Sequence, residues 1–179
     1  MNKNPKKIPA SLAEAEEAHK KGMSDGTGEG MLVYLSALRD KEGFGNKRLR
    51  RLWDKVCEVC DLLTSGAILT PELAQNLYDV VLVELCPYMY YPDRLFLPPD
   101  PPVTKADVNR SYKQGREAGR QFATIIFMSA IRKTDHFGGV RIWRLFSEAT
   151  EMWDSIDKGY IKPEDLQQTL YDEAGIKVV

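Results

Sequence analysis

Apolar positions along the chain recur at helical spacing, and they do so twice in the same register. Leu49, Leu52, Trp53, Val56, Cys60 and Leu63 follow the alternating three- and four-residue steps of one helix face. Shifted by 93 positions, Ile142, Leu145, Phe146, Ala149, Trp153 and Ile156 occupy the same six places. The offset needs no gap across the flanking sequence. Phe44-Gly45 falls on Phe137-Gly138, Arg48 on Arg141, and Arg51-Leu52 on Arg144-Leu145. Further on, Asp61 falls on Asp154, Gly66 on Gly159, Ile68 on Ile161, and Leu77-Tyr78-Asp79 on Leu170-Tyr171-Asp172.

A long helix is predicted ahead of each stripe. Ser11 followed by Glu14 is a capping-box pattern, which starts a helix at residue 12 that runs to about residue 41. Thr104 and Asp107 repeat the signal for a helix over 105–134. Gly22, Gly26 and Gly30 recur every fourth residue, and Gly115, Gly119 and Ala123 match them. Each glycine weakens a helix by roughly 1 kcal/mol relative to alanine. The pattern therefore predicts one of two things: a break over 24–30, or a helix face bare of side chains where another backbone approaches. Its repetition favours the second.

From Met31 the sequence MLVYLSALRD is apolar nearly all round and should be buried. Glycines at 43 and 45 end this helix, and Asn46 is the expected cap of the next. Thr70-Pro71 opens a third helix reaching about residue 85, and Lys162-Pro163 opens its counterpart, which ends near Gly175. The stretch 86–103 holds six of the ten prolines and should lie extended along the surface.

The predicted fold class is all-α: two tandem three-helix repeats over 11–85 and 105–179, packed through the glycine-marked helices. A mobile tail covers 1–10 and a Pro-rich linker covers 86–104. Each repeat contains an EF-hand-like helix-turn-helix, and the pair should be related by a pseudo-twofold axis.

The turns lack calcium chemistry. With Gly159 at the sixth place of a calcium loop, Asp154 and Asp165 stand at the first and twelfth, but Ile156 and Lys158 stand where oxygen ligands are needed. Leu63 sits at the same blocked place in the first repeat. In calcium-binding pairs the eighth-position residues meet across a short bridge, so Ile68 and Ile161 are expected to meet.

Charge and cysteine content narrow the function. A net charge of −1 argues against both a strongly basic nucleic-acid binder and an acidic DNA mimic. Three cysteines with no secretory signal suggest reduced thiols in the cytoplasm, and no apolar run is long enough to span a membrane. Cys57 and Cys60 have half of a zinc-site spacing but fall inside a helix, with only Cys86, His19 and His136 to complete a site. They are read as buried structural thiols, with no metal and no cofactor.

Neither histidine has a serine, cysteine or paired carboxylate at a catalytic spacing, and no phosphate-loop Gly-Lys-Ser/Thr occurs. The expectation is a protein that is not an enzyme. The basic run Arg39, Lys47, Arg48, Arg50, Arg51 and Lys55, echoed by Arg132, Arg141 and Arg144, could hold phosphates or form a solvated face paired to carboxylates such as Asp40, Glu42 and Asp54. Trp143 lies off the core stripe beside these arginines, as a partner hot spot would. Arg48, Arg50, Arg51, Arg141, Trp143 and Arg144 are the candidate partner-binding residues.

The second repeat, through Phe137-Gly138, Arg141, Leu145-Phe146, Trp153-Asp154-Ser155-Ile156, Gly159-Tyr160-Ile161, Glu164-Asp165-Leu166 and the tail from Leu170 to Ile176, and less strongly the first, resembles small proteins of phages and mobile elements from gram-positive gut bacteria. The resemblance covers about 18–79 and 111–179. Proteins of this kind are often inhibitors of host defence, and a two-unit chain is similar to anti-CRISPR proteins that act on type II effector nucleases. The resemblance implies a phage-derived inhibitor acting in the bacterial cytoplasm on a host CRISPR effector nuclease. The alternatives are a DNA-binding or replication accessory protein with nucleic acid as partner, and a structural assembly module.

Overall fold

Both long helices begin at a reciprocal side-chain cap. The computed structural model describes residues 9–67, 99 and 102–178, and these form α1 (Leu12–Glu42), α2 (Asn46–Thr64), α3 (Lys105–Asp135), α4 (Gly139–Asp157) and α5 (Pro163–Ala174). At the start of α1, the Glu14 N–H donates to Ser11 Oγ at 3.2 Å, and the Ser11 N–H donates to the Glu14 carboxylate at 2.7 Å. Thr104 and Asp107 make the same exchange before α3, at 3.4 and 3.0 Å. Moved by 93 positions, the bounds of α1 and α2 become those of α3 and α4.

The chain ends correspond too. α1 stops at Gly43 with φ 64°, and α3 stops at His136 with φ 52°, a left-handed conformation usually left to glycine. Asn46, expected as a cap, is instead the first helical residue. Gly45 precedes it, as Gly138 precedes α4, and neither start has a side-chain cap. Pro9 and Ala10, assigned to the mobile tail, are tied down: the Ala10 N–H donates to the Val103 carbonyl at 2.9 Å beside a Pro9–Thr104 bridge.

α1 is unbroken through its glycines and lies parallel to α3 along most of its length. A Cβ on Gly22 would lie 2.9 Å from the Arg116 nitrogen, and one on Gly26 would lie 2.9 Å from the Arg116 Cα. In exchange, a Cβ on Gly115 would meet His19 at 2.9 Å, and one on Gly119 would meet the Thr27 nitrogen at 2.7 Å. The glycines therefore let the two backbones touch, and the Thr27 hydroxyl bridges the seam, reaching the Met23 carbonyl at 2.8 Å and the Gly119 carbonyl at 3.3 Å.

Below the glycines the helices separate around large side chains. Met31 to Leu38 and Ala123 to Ile131 are buried without a break. Tyr34 stacks on Phe127 at 5.0 Å between ring centres, and its hydroxyl meets the Thr124 hydroxyl at 2.9 Å. Phe44 meets Phe137 edge-on at 5.9 Å. Each of these ring pairs joins positions 93 apart.

The remaining helices cross between the halves. Among the described residues α2 packs mainly on α3, α4 on α1, and α5 on α1 and α2. One continuous hydrophobic core results. The two predicted stripes supply it: Leu49, Leu52, Val56, Ile142, Leu145, Ala149 and Ile156 are buried, while Trp53, Cys60, Leu63, Phe146 and Trp153 are partly buried against it.

α2 and α4 end in matching turns, with Gly66 at φ 73° and Gly159 at φ 75°. At the second turn Ile156 is buried and Lys158 is paired with Asp154 at 2.5 Å. The segment expected to form the third helix of the first repeat, most of the Pro-rich linker, Ile68 and Cys86 lie outside the described residues. No helix among those described is long and apolar enough to cross a membrane.

Candidate partner-binding site

Four of the five candidate arginines form two matching clamps between the halves. Arg48 Nε donates to Asp135 Oδ1 at 2.7 Å, and Arg51 reaches the same oxygen at 2.9 Å. On the opposite side, Arg141 donates to Glu42 Oε2 at 2.7 Å, and Arg144 Nε donates to Oε1 at 2.9 Å. Glu42 and Asp135 are the final residues of α1 and α3. Each clamp thus carries a guanidinium pair from one short helix to the end of the other half's long helix, where cations complement the helix dipole.

Each clamp also rests on a ring. The Arg48 guanidinium sits 3.7 Å from the Phe44 ring centre, and Arg141 sits 3.7 Å from that of Phe137. The carboxylates are buried: Asp135 has 1 % of its side chain exposed and Glu42 has 7 %. Burial works to raise the Glu42 pKa, but hydrogen bonds from Arg141 and Arg144 outweigh it and hold the carboxyl below its ordinary value. At Asp135 burial is likewise outweighed, there by hydrogen bonds from Arg48 and Thr134.

Arg50 has a different task. Its Nε donates to the Ala174 carbonyl at the C-terminus of α5, so it anchors that helix to the first half. Its counterpart 93 positions on is Trp143, which leaves the clamp pattern altogether. Trp143 is 45 % exposed and packs on Phe146 with ring centres 6.1 Å apart. Val140, one helical turn earlier, is 82 % exposed. The structure therefore brings Trp143 and Val140 together on one open face of α4, flanked by Arg144, and commits the candidate arginines to contacts within the fold.

A second charged group has no motif to announce it in the sequence. Glu29 is buried between Arg116, at 2.6 Å, and Arg120, at 2.7 Å. Both arginines also reach Asp157, at 2.8 and 2.7 Å, and Arg120 lies over the Trp153 ring at 5.7 Å. Hydrogen bonding to Arg120 pulls the Asp157 pKa down. The only signal is a negative one: Glu29, Arg116 and Arg120 match Phe122, Met23 and Thr27, so these charges have no repeat.

Cys57, expected to be buried, is exposed, and Cys60 is half-buried. Burial pushes both thiols up, helped at Cys57 by Asp54 and Asp61 and at Cys60 by Cys57 and Asp61, which disfavours the thiolate. Among the described residues no group of three or more His, Cys, Asp or Glu side chains gathers in a metal-holding arrangement.

No family model, curated protein or solved structure matches the chain.

Proposed function

We propose that this is a non-enzymatic binding protein that docks on another protein through the α4 face carrying Val140 and Trp143. In this reading the chain is two copies of one EF-hand-like unit, without calcium chemistry, arranged about a pseudo-twofold axis. The partner is a type II CRISPR effector nuclease in the bacterial cytoplasm, and the protein is an inhibitor of phage origin, as the resemblance of its second repeat implies.

The exposed pair of Val140 and Trp143 carries the proposal. A half-exposed Trp next to a well-exposed Val on the same helix face is the composition of a binding hot spot. The competing reading, phosphate binding by the basic helix, meets internal competition. Arg48 and Arg51 share Asp135, and Arg141 and Arg144 share Glu42, so each clamp keeps one net positive charge, but a phosphate would have to draw the guanidinium donors away from a buried carboxylate.

The test is DNA cleavage by a purified type II effector and guide, with the protein added before or after target DNA. The expected outcome is loss of cutting with co-elution of protein and effector. Trp143→Ala should weaken this binding at least tenfold, since a hot-spot truncation costs about 2 kcal/mol or more. Full cutting at large excess across several effectors would overturn the assignment of the partner. Inhibition unchanged in Trp143→Ala would overturn the assignment of the face.

A further inference from the structure

Around Glu29, Arg116 and Arg120 the 93-residue correspondence gives way to unlike side chains, and an open pocket lies at the matching place in the other half. In one half the space between the long helices and α4 is filled by Arg116, Arg120, Glu29 and Asp157, closed by Trp153. The positions matching Arg116, Arg120 and Glu29 carry Met23, Thr27 and Phe122, and those matching Trp153 and Asp157 carry Cys60 and Thr64. Short or apolar groups stand where the long charged ones would be. Here the surface opens into a pocket of about 620 Å³ whose lining includes Met23, Thr27, Trp53, Cys60 and Phe122. That volume is in the range of small-molecule sites.

The walls ask for an apolar occupant. The Thr27 hydroxyl is already bonded to two carbonyls, so it makes no demand on a ligand. Cys60 presents a neutral thiol. The charged lining favours an anion. Lys20 and Lys177 also border the pocket, both exposed and neither in an ion pair among the described residues, against the single acid Asp61.

We infer that this cavity binds a small amphipathic anion, a medium-chain aliphatic carboxylate with its tail among Met23, Trp53 and Phe122 and its head between Lys20 and Lys177. The site shares no residue with the proposed partner surface on α4, and it stands or falls independently of that reading.

The test uses the full-length chain and decanoate below its micelle threshold. Calorimetry should show saturable one-to-one binding, and 10-bromodecanoate should quench tryptophan fluorescence by contact with Trp53. Trp53→Phe should remove most of that quenching. Cys60→Trp, which installs the residue found at the matching position, should fill the hole and abolish binding. Lys20→Gln combined with Lys177→Gln should weaken decanoate about tenfold while leaving decanol unchanged.

Absence of saturable decanoate binding would overturn the site, and so would undiminished quenching in Trp53→Phe. Should Cys60→Trp fail to fold, the Trp53→Phe result decides alone. Equal affinity for decanoate and decyltrimethylammonium would overturn the assignment of the head group.

Discussion

At Gly26 an added Cβ would lie 2.9 Å from the Arg116 Cα and closer still to its carbonyl oxygen. Both atoms belong to helix backbone and cannot rotate away, so the methyl group of alanine must push α1 from α3. Gly26→Ala is therefore expected to destabilise by about 3 kcal/mol, the upper end for overpacking, despite the better helix propensity of alanine. Gly139→Ala is the control, because no atom lies within 4 Å of its Cβ position and its φ is not left-handed. It should be neutral or slightly stabilising. Chemical denaturation of the two variants checks the pair, and equal effects would mean that the close approach of α1 and α3 is not a source of stability. The glycine spacing is legible in the sequence, but its partner is not: nothing in a run of small residues says which backbone will lie against it.

At the scale of the helices, the clamps on Glu42 and Asp135 make stability depend on pH. Both carboxyls have folded-state pKa values below their ordinary ones. Their contribution is therefore fully present at neutral pH and is lost as pH falls below the ordinary carboxylate range and through the depressed folded values. Glu42→Gln should cost about 1–2 kcal/mol at pH 7, less than a fully buried pair because Arg141 and Arg144 remain partly in water. It should also shrink the loss of stability between neutral and acid pH. Thermal melts across that interval check both, and a variant as acid-sensitive as the natural protein would remove the clamp from the explanation. The helices themselves are readable from capping boxes and stripes almost to the residue. The clamp partners are not, because Arg48 and Asp135 are 87 positions apart and Arg141 and Glu42 are 99 apart. Glu42 is visible as a neighbour of the first basic run, yet it serves the arginines of the other half. A hint does exist: Glu42 and Asp135 are acids at matching positions, as their arginines are. Trp143 has no such match, and its departure from the pattern is what marks it.

For the molecule as a whole, the crossing of helices means that a sequence repeat is not a folding unit. The apolar surface of Met31 to Leu38 is covered by α3 and α4, and the exit from α5 is held by Arg50 of α2. Separate chains of residues 1–98 and 99–179 should each lack a cooperative melt as monomers, because each leaves a long apolar helix face uncovered. Mixing them should restore the fold. The 99–179 chain has its own glycine-marked helix and could pair with a second copy of itself. In that pairing, however, Phe122 would stand where Glu29 is, and Arg120, which has only 8 % of its side chain exposed, would lose a buried carboxylate. Arg120 keeps its two bonds to Asp157, so losing Glu29 costs about 1–3 kcal/mol, which favours the mixed pair over the self-pair by roughly fivefold to a hundredfold. Sedimentation and helix content after mixing decide the matter. One-to-one complexes show that the unrepeated Glu29–Arg120 group directs the pairing, whereas a surviving 99–179 dimer would mean that the glycines alone direct it.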